Sequence, residues 1–299
     1  MSSTRYLLAP VIASALFSPS LSAEAWLPLF AHEAIAKGYE LPKPFGVSLG
    51  AMHVEQGIEV DSIGFNGLNH PLFPNRPLAD DAIDISAEPG EQQSQVYSLR
   101  ADAWILPFLN VYAIAGKMSG YTETRVHVNK INIFPLPPLT DGLPVFDFRL
   151  DLDGYLYGGG IVIAGGVGNW FTLIDASITH TRLTVIDGNI EAFVLSPRLG
   201  YDFSDRGVPL RVWVGGMYQE VEQHLSGYIS DLDLGPKGNQ LIKLVDVKGQ
   251  ARFDVEQHLT TPWNTLVGFQ YQVNKDWSVL GEAGFGGRKS AMLSLEYRF

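Results

Sequence analysis

The chain contains no cysteine in 299 residues. That absence excludes a disulfide framework, a thiolate metal site and a thiol nucleophile. Charge is scarce as well. Asp, Glu, Lys and Arg make up 18% of the residues, where an ordinary soluble domain carries about a quarter. The charge present leans acidic, with a formal net of −11, so a nucleic-acid partner is not expected. Long uncharged runs are rare too. After the N-terminal stretch, one long enough to cross a bilayer by count is Gly154 to Ile174. It holds seven glycines, and each costs about 0.8–1 kcal/mol relative to alanine inside a helix. Two strands joined by a turn at Gly165-Gly166-Val167-Gly168-Asn169 fit better. With no spanning helix, a chain that crosses a membrane must close into a barrel, because lipid offers no partner to an open sheet edge.

What is present fits that demand. Residues 1–25 read as an export signal. Arg5 supplies the positive region, Tyr6 to Phe17 is uncharged and mostly apolar, and Ala23-Glu24-Ala25 offers a cleavage site after Ala25. A short amphipathic helix is expected within 27–38, stopped by Gly38, with Leu27, Phe30, Ala31, Ala34 and Ile35 on one face. It either plugs the lumen or rests on the rim. The expected organisation is thus a signal at 1–25, an N-terminal segment at 26–45 and a barrel over 46–299.

Through the rest of the chain, apolar and polar residues alternate with period two. Tyr97, Leu99, Ala101, Ala103 and Ile105 oppose Ser98, Arg100 and Asp102. Phe146, Phe148, Leu150 and Leu152 oppose Asp147, Arg149, Asp151 and Asp153. Leu293, Leu295, Tyr297 and Phe299 oppose Ser294, Glu296 and Arg298. A soluble sandwich alternates too. Aromatics, however, gather beside the short turns (Trp104, Phe108, Trp170, Phe171, Tyr201, Phe203, Trp277), as an interfacial girdle requires. Loops also sort by length, with short turns near 106–109, 165–169, 204–209 and 274–276 and long connections near 64–94, 129–143 and 224–262. We therefore expect an all-β transmembrane antiparallel barrel of ten strands: 46–63, 95–106, 109–125, 144–164, 169–183, 190–204, 210–223, 264–274, 277–287 and 291–299. Residues 241–258 either extend a loop or raise the total to twelve.

The chain closes on Leu295-Glu296-Tyr297-Arg298-Phe299. This ending resembles the assembly signal of Gram-negative outer-membrane β-barrel proteins, with Tyr297 and Phe299 as its aromatic positions. Leu41-Pro42-x-Pro44-Phe45-Gly46 and Gly284-Phe285-Gly286-x-Arg288-Lys289-Ser290 resemble an uncharacterised group of such barrels. The resemblance implies residence in the outer membrane, contact with its lipids and lipopolysaccharide, and recognition by the barrel-assembly machinery.

The candidate functional residues are the charges expected to face the lumen: Arg100, Asp102, Lys117, Arg149, Asp151, Asp175, Arg198, Arg211, Glu282, Glu296 and Arg298. They serve either a packed, salt-bridged interior or a narrow conduit that selects solutes by charge. A ten-stranded barrel is near the filled limit of about eight strands and far below porins of about sixteen. A narrow channel is the first expectation, a structural or surface-interaction barrel the second and a lipid-modifying enzyme the third. No cofactor or metal motif is present: no histidine pair has H-E-x-x-H spacing, and Ser177 and His180 fall on opposite strand faces. Asp80, Asp81 and Asp84, and Asp231 with Asp233, read as solvated loop acids before metal ligands. Lys130, Lys237, Lys243, Lys248 and Arg252 lie where lipopolysaccharide phosphates would be met. The sequence names no solute.

Overall fold

The structure is a computed structural model that describes residues 27–299 apart from 39, 80–81, 134–136, 185 and 233–234. The expected signal at 1–25 lies outside the described residues, as do Asp80, Asp81 and Asp233.

A helix, α1 (Ala31–Ala36), precedes the strands β1 (Phe45–Asn66), β2 (Asn69–His70), β3 (Phe73–Pro77), β4 (Ile83–Ala87), β5 (Gly90–Leu106), β6 (Leu109–Ile131) and β7 (Val145–Asp151). Then come β8 (Gly154–Val167), β9 (Trp170–Leu183), β10 (Asp187–Asp202), β11 (Leu210–Tyr228), α2 (Gly235–Val245), β12 (Arg252–Leu259), β13 (Trp263–Gln272), β14 (Trp277–Gly286) and β15 (Arg288–Arg298). Ten of these form a ring in the order β1-β5-β6-β8-β9-β10-β11-β13-β14-β15, and β15 pairs back onto β1. Closure carries the seam from Gly46↔Arg298 to Gln56↔Arg288. The carbonyls of Phe45 and Phe299 each accept the other's backbone N–H, at 3.0 and 3.2 Å. No described helix is long and apolar enough to cross a membrane. The all-β transmembrane barrel of ten strands is therefore the observed architecture.

The outer wall has a belt of exposed apolar side chains, including Val47, Leu49, Leu99, Ile161, Ile163, Ile174, Leu199, Val214, Val267 and Leu293. At the short-turn end an aromatic girdle bounds it: Trp170 on Tyr201 at 5.2 Å, Tyr201 on Phe203 at 4.9 Å, Trp277 on Tyr297 at 4.8 Å and Phe45 on Phe299 at 6.0 Å. At the other end Tyr97, Tyr155, Tyr157, Trp263 and Phe285 are exposed. Strand β14 runs from Trp277 in one girdle to Phe285 in the other. At about 3.4 Å per residue and a tilt of about 40°, that is a belt of roughly 20 Å, close to the hydrocarbon height such barrels match. Only acyl chains can solvate such a surface.

Beyond this belt the strands continue into water, and the alternation inverts. Along β1 the outward residues are Val47, Leu49 and Ala51, then Glu55, Glu59 and Asp61. The inward ones are Ser48 and Gly50, then Val54, Ile58 and Val60. The upper parts of β1, β6, β10 and β11, with β4, β7 and β12 added, make a second storey around an apolar core. Phe253, Ile58, Leu152, Leu225, Ile229, Val126 and Val245 are fully buried in it, and Phe148 meets Phe253 edge-on at 6.4 Å.

Three sequence boundaries change. The expected strand 144–164 is two: β8 spans the bilayer, while β7 belongs to the second storey and pairs β6. Residues 241–258 do not raise the ring to twelve, because β12 bridges β1 and β11 above the ends of β13 to β15. The connection between β9 and β10 is short although it lies at the long-loop end. Helix α2 had no counterpart in the sequence reading. Helix α1 buries none of its side chains. The N–H of Leu29 donates to the Ile105 carbonyl at 2.9 Å, which holds this segment at the short-turn rim.

A cation on the belt must be driven into hydrocarbon, so Leu293→Arg on the lipid face is expected to destabilise the barrel by about 2–4 kcal/mol. Urea unfolding in vesicles measures this, and the lumen-facing Ser294→Ala should leave the transition nearly unmoved.

Candidate functional site

The lumen within the belt is polar because its strands send their even or odd polar set inward. Arg100, Asp102, Asp175, Arg198, Arg211, Glu282, Glu296 and Arg298 all face it. They interlock. Asp102, 4% exposed at its side chain, accepts from Arg298 Nη2 at 3.0 Å and from Asn110 Nδ2 at 2.6 Å. Arg298 also pairs with Glu296, whose Oε2 accepts from Gln270 and Ser278, each at 3.0 Å. The Arg100 guanidinium stacks 3.6 Å over the Tyr112 ring, and the Tyr112 hydroxyl donates to Asp175 at 2.8 Å. Across the lumen Arg198 grips Glu282 with two hydrogen bonds, at 2.7 and 3.1 Å. The Trp213 indole N–H donates to the same carboxylate at 2.8 Å. Near the short-turn mouth Arg211 meets Asp202 at 2.6 Å.

Glycine makes these spans possible. Gly46 of β1 stands in register between Arg298 of β15 and Asp102 of β5. A Cβ there would lie 2.5 Å from Asp102 Oδ1 and 2.9 Å from Arg298 Nη1. Gly268 of β13 stands in the same way between Trp213 and Glu282, and a Cβ there would strike the indole. Each long side chain thus lies over a strand whose own residue leaves room. The result is a pair of second-neighbour links, one of them across the closing seam.

The lumen-facing cations on the described strands are Arg100, Arg198, Arg211, Arg288 and Arg298, and the anions are Asp102, Asp175, Asp202, Glu282 and Glu296. Five answer five, so the interior is balanced without counter-ions. Arg288 is the exception in geometry: it donates to the Gln219 side-chain Oε1 and to the Met217 sulfur, not to a carboxylate.

Above this network lies a belt of amides that sequence reasoning did not find. Gln56 and Gln223 donate to Gln92 at 3.1 and 3.0 Å, and Gln257 donates to Gln223 at 2.8 Å. Their signal was a glutamine on the inward phase of each of four strands, visible only once β12 is known to enter the sheet. Beyond the amides begins the apolar core of the second storey. A cavity of about 190 Å³ near the short-turn mouth is lined by Ser204, Pro209, Arg211, Gln270 and Gln272.

Three expected lumen charges are not there. Lys117 points outward, in register with the exposed Tyr97 and Tyr155. Arg149 and Asp151 also point outward, on β7. The reason is the inversion: β7 lies wholly in the second storey, where Phe148 and Leu150 seek the core and the charges seek water. Arg149 pairs with Glu123 at 2.6 Å and lies 3.7 Å over the Tyr121 ring. That hydrogen bond raises its pKa further above the ordinary arginine range. Other outward groups form a collar of similar pairs: Arg125 with Asp147, Arg252 with Asp187, His127 with Glu88, and His258 with Asp61.

His180 is outward, 5.7 Å from the Tyr157 ring, whereas Ser177 faces the lumen. His224 lies beside Glu256, and the Ser226 hydroxyl donates to the Asp187 carbonyl. Neither histidine therefore meets its neighbouring serine. Among the described residues no group of three His, Asp or Glu side chains has metal-binding geometry.

No family model and no curated protein matches the chain. Solved structures do align. The outer membrane protein OprG from Pseudomonas aeruginosa is 10% identical and covers 87% of this chain and 98% of its own, with a TM-score of 0.39. An outer membrane channel from Pseudomonas putida F1 is 8% identical, covering 86% and 96%, with a TM-score of 0.35. The toluene transporter TbuX from Ralstonia pickettii is 12% identical, covering 87% and 90%, with a TM-score of 0.27. At such scores the likeness carries no argument about activity, and the chain's own geometry has to supply it.

Removing one partner of a buried pair strands the other charge, at a cost of about 3–5 kcal/mol. Arg298→Ala is expected to destabilise by that amount in urea unfolding. The double variant Arg298→Met with Asp102→Asn should recover most of the loss, and Gly46→Val should mimic the single variant.

Proposed function

We propose that the protein is a bacterial outer-membrane barrel, closed to solute flow in this conformation, that acts through the storey it holds above the bilayer. The hydrocarbon-matched belt and the two aromatic girdles support residence in a membrane. An antiparallel ring with short turns at one end and long loops at the other is the form outer-membrane barrels take. Short turns then face the periplasm, and the second storey faces outward. The last strand, ending on Tyr297 and Phe299, is what the barrel-assembly machinery would read before β15 closes onto β1.

One observation carries the closed reading. The passage is occupied three times over: by the ion-pair network, by the glutamine belt and by the apolar core under α2 and β12. A conducting pore needs a continuous wetted path, and a packed apolar core excludes water. The work is then left to the outer surface, as a structural or surface-interaction barrel with a charged collar.

A narrow solute channel is the second reading. The polar, charge-balanced floor and the cavity beside Arg211 favour it. It requires the outer core to part, and the charges that would meet the solute are Arg100, Asp175, Arg198, Glu282 and Arg211 rather than Arg149 or Asp151. Among the described residues His180 and Ser177 lie on opposite faces of the wall, and His224 is paired with Glu256 while Ser226 donates to the Asp187 carbonyl, so these pairs carry no lipid-modifying reading.

Planar bilayers separate the two readings. The wild-type protein is expected to show no steady unitary conductance. Steady steps whose ion selectivity changes in Arg211→Glu would overturn the closed reading and establish the channel.

A further inference from the structure

Two cations on nearby strands of the outer wall have no acid partner among the described residues. Lys117 on β6 and Arg182 on β9 are exposed on the outer wall. They sit either side of Tyr155, with Lys117↔Tyr155 and Tyr155↔Arg182 in direct register. Among the described residues neither has an ion pair or hydrogen bond, whereas the nearby collar cations Arg125, Arg149, Arg252 and Lys289 each face a carboxylate. The outward acids on the same and adjoining strands are engaged elsewhere: Glu123 and Asp151 by Arg149, Asp187 by Arg252 and Glu191 by His180.

Their height is informative. Tyr97, Lys117, Tyr155 and Arg182 form one row across four adjacent strands. Above the row the wall is charged. Below it come Leu99 and Ala115 on β5 and β6 and, past Tyr157 and His180, Ile161 and Ile178 on β8 and β9, which belong to the apolar belt. The row climbs with the strand tilt, by about 6 Å between Lys117 and Arg182, and its lower end lies where lipid headgroups end and acyl chains begin. Strands about 4.8 Å apart place the Lys117 and Arg182 Cα atoms about 10 Å from each other. Both side chains are long enough to converge over Tyr155 and snorkel toward the same headgroup.

We propose that Lys117 and Arg182, flanked by Tyr97 and Tyr155, bind the phosphate of an outer-leaflet glycolipid whose acyl chains lie against the wall below them. The site deepens the membrane reading given above and rests on it. The chemistry is a charge-assisted clamp, in which ammonium and guanidinium both donate to phosphate oxygens. A free inorganic phosphate has the same charge but no chains. On an exposed convex wall it would gain little, because two open cations are well screened by water. An amphiphile adds burial of its tails to the same two contacts.

The experiment uses the full mature chain folded into phosphatidylcholine vesicles doped with bisphosphorylated lipid A, or with the same lipid after phosphatase treatment. Lipid retained on the extracted barrel is counted by native mass spectrometry. The wild type is expected to retain the phosphorylated form about tenfold over the dephosphorylated one, equivalent to about 1.4 kcal/mol. Lys117→Ala with Arg182→Ala should remove that preference, and Arg252→Ala, a cation already paired with Asp187, should keep it. Equal retention by the wild type and the double variant would overturn the site. So would displacement of the lipid by an equal concentration of inorganic phosphate. Heat-modifiable migration on gels tests the supporting reading separately. A chain that never inserts shows the membrane assignment to be wrong, while one that inserts and shows no preference removes only the clamp.

Discussion

The solvent on the outside of the wall changes from hydrocarbon to water along each long strand, and the rest of the molecule follows from that change. In the belt, a side chain facing out must be apolar, and the polar set is confined to the lumen. Above the belt, a side chain facing out should be charged, and the apolar set is free to gather inside. A strand such as β1 or β6 makes this switch without a turn, by exchanging which residues are apolar. On β6 the outward set passes from Val111, Ala113 and Ala115 to Glu123, Arg125 and His127. One sheet therefore encloses a polar interior at one height and an apolar core at another.

The polar storey is held by links that pass over a neighbouring strand. Arg298 to Asp102 and Trp213 to Glu282 each run above a glycine, so one long side chain restrains three strands. A desolvated ion pair contributes little net stability against an apolar alternative, but it penalises any other register heavily. The Arg298–Asp102 link lies over the seam where the first and last strands of the ring meet. A slip there would leave both charges without partners. The second storey needs no such device, since its core packs as in a soluble protein.

Much of the barrel was legible in the sequence. Gly158-Gly159-Gly160 argued against a spanning helix, and the Leu293 to Phe299 alternation located the last strand. The aromatics beside short turns located a girdle that the structure fills with ring contacts. The lumen charges were legible wherever the apolar partner set faced lipid, which gave Arg100, Asp102, Asp175, Arg198, Glu282, Glu296 and Arg298 their correct side. They were misread where the apolar set faced a core instead. Phe146-Asp147-Phe148-Arg149-Leu150-Asp151 alternates as cleanly as any membrane strand, yet its phase relative to the bilayer is reversed. The clue was present in β1, where apolar residues shift from odd to even positions between Ala51 and Val54.

Period, girdle residues and loop sorting are local properties, and the sequence alone determined them: strands rather than helices, and which residues share a face, with ten or twelve strands left open until β12 was placed outside the ring. Which face meets which medium is not local. It depends on the height of each segment above the membrane plane, and so on how β7 and β12 are placed by partners far away in the chain. Only the tertiary structure decided that Arg149 and Lys117 are outside and that an apolar core lies within the outer storey. Alternation records that two environments differ without recording which of them is inside.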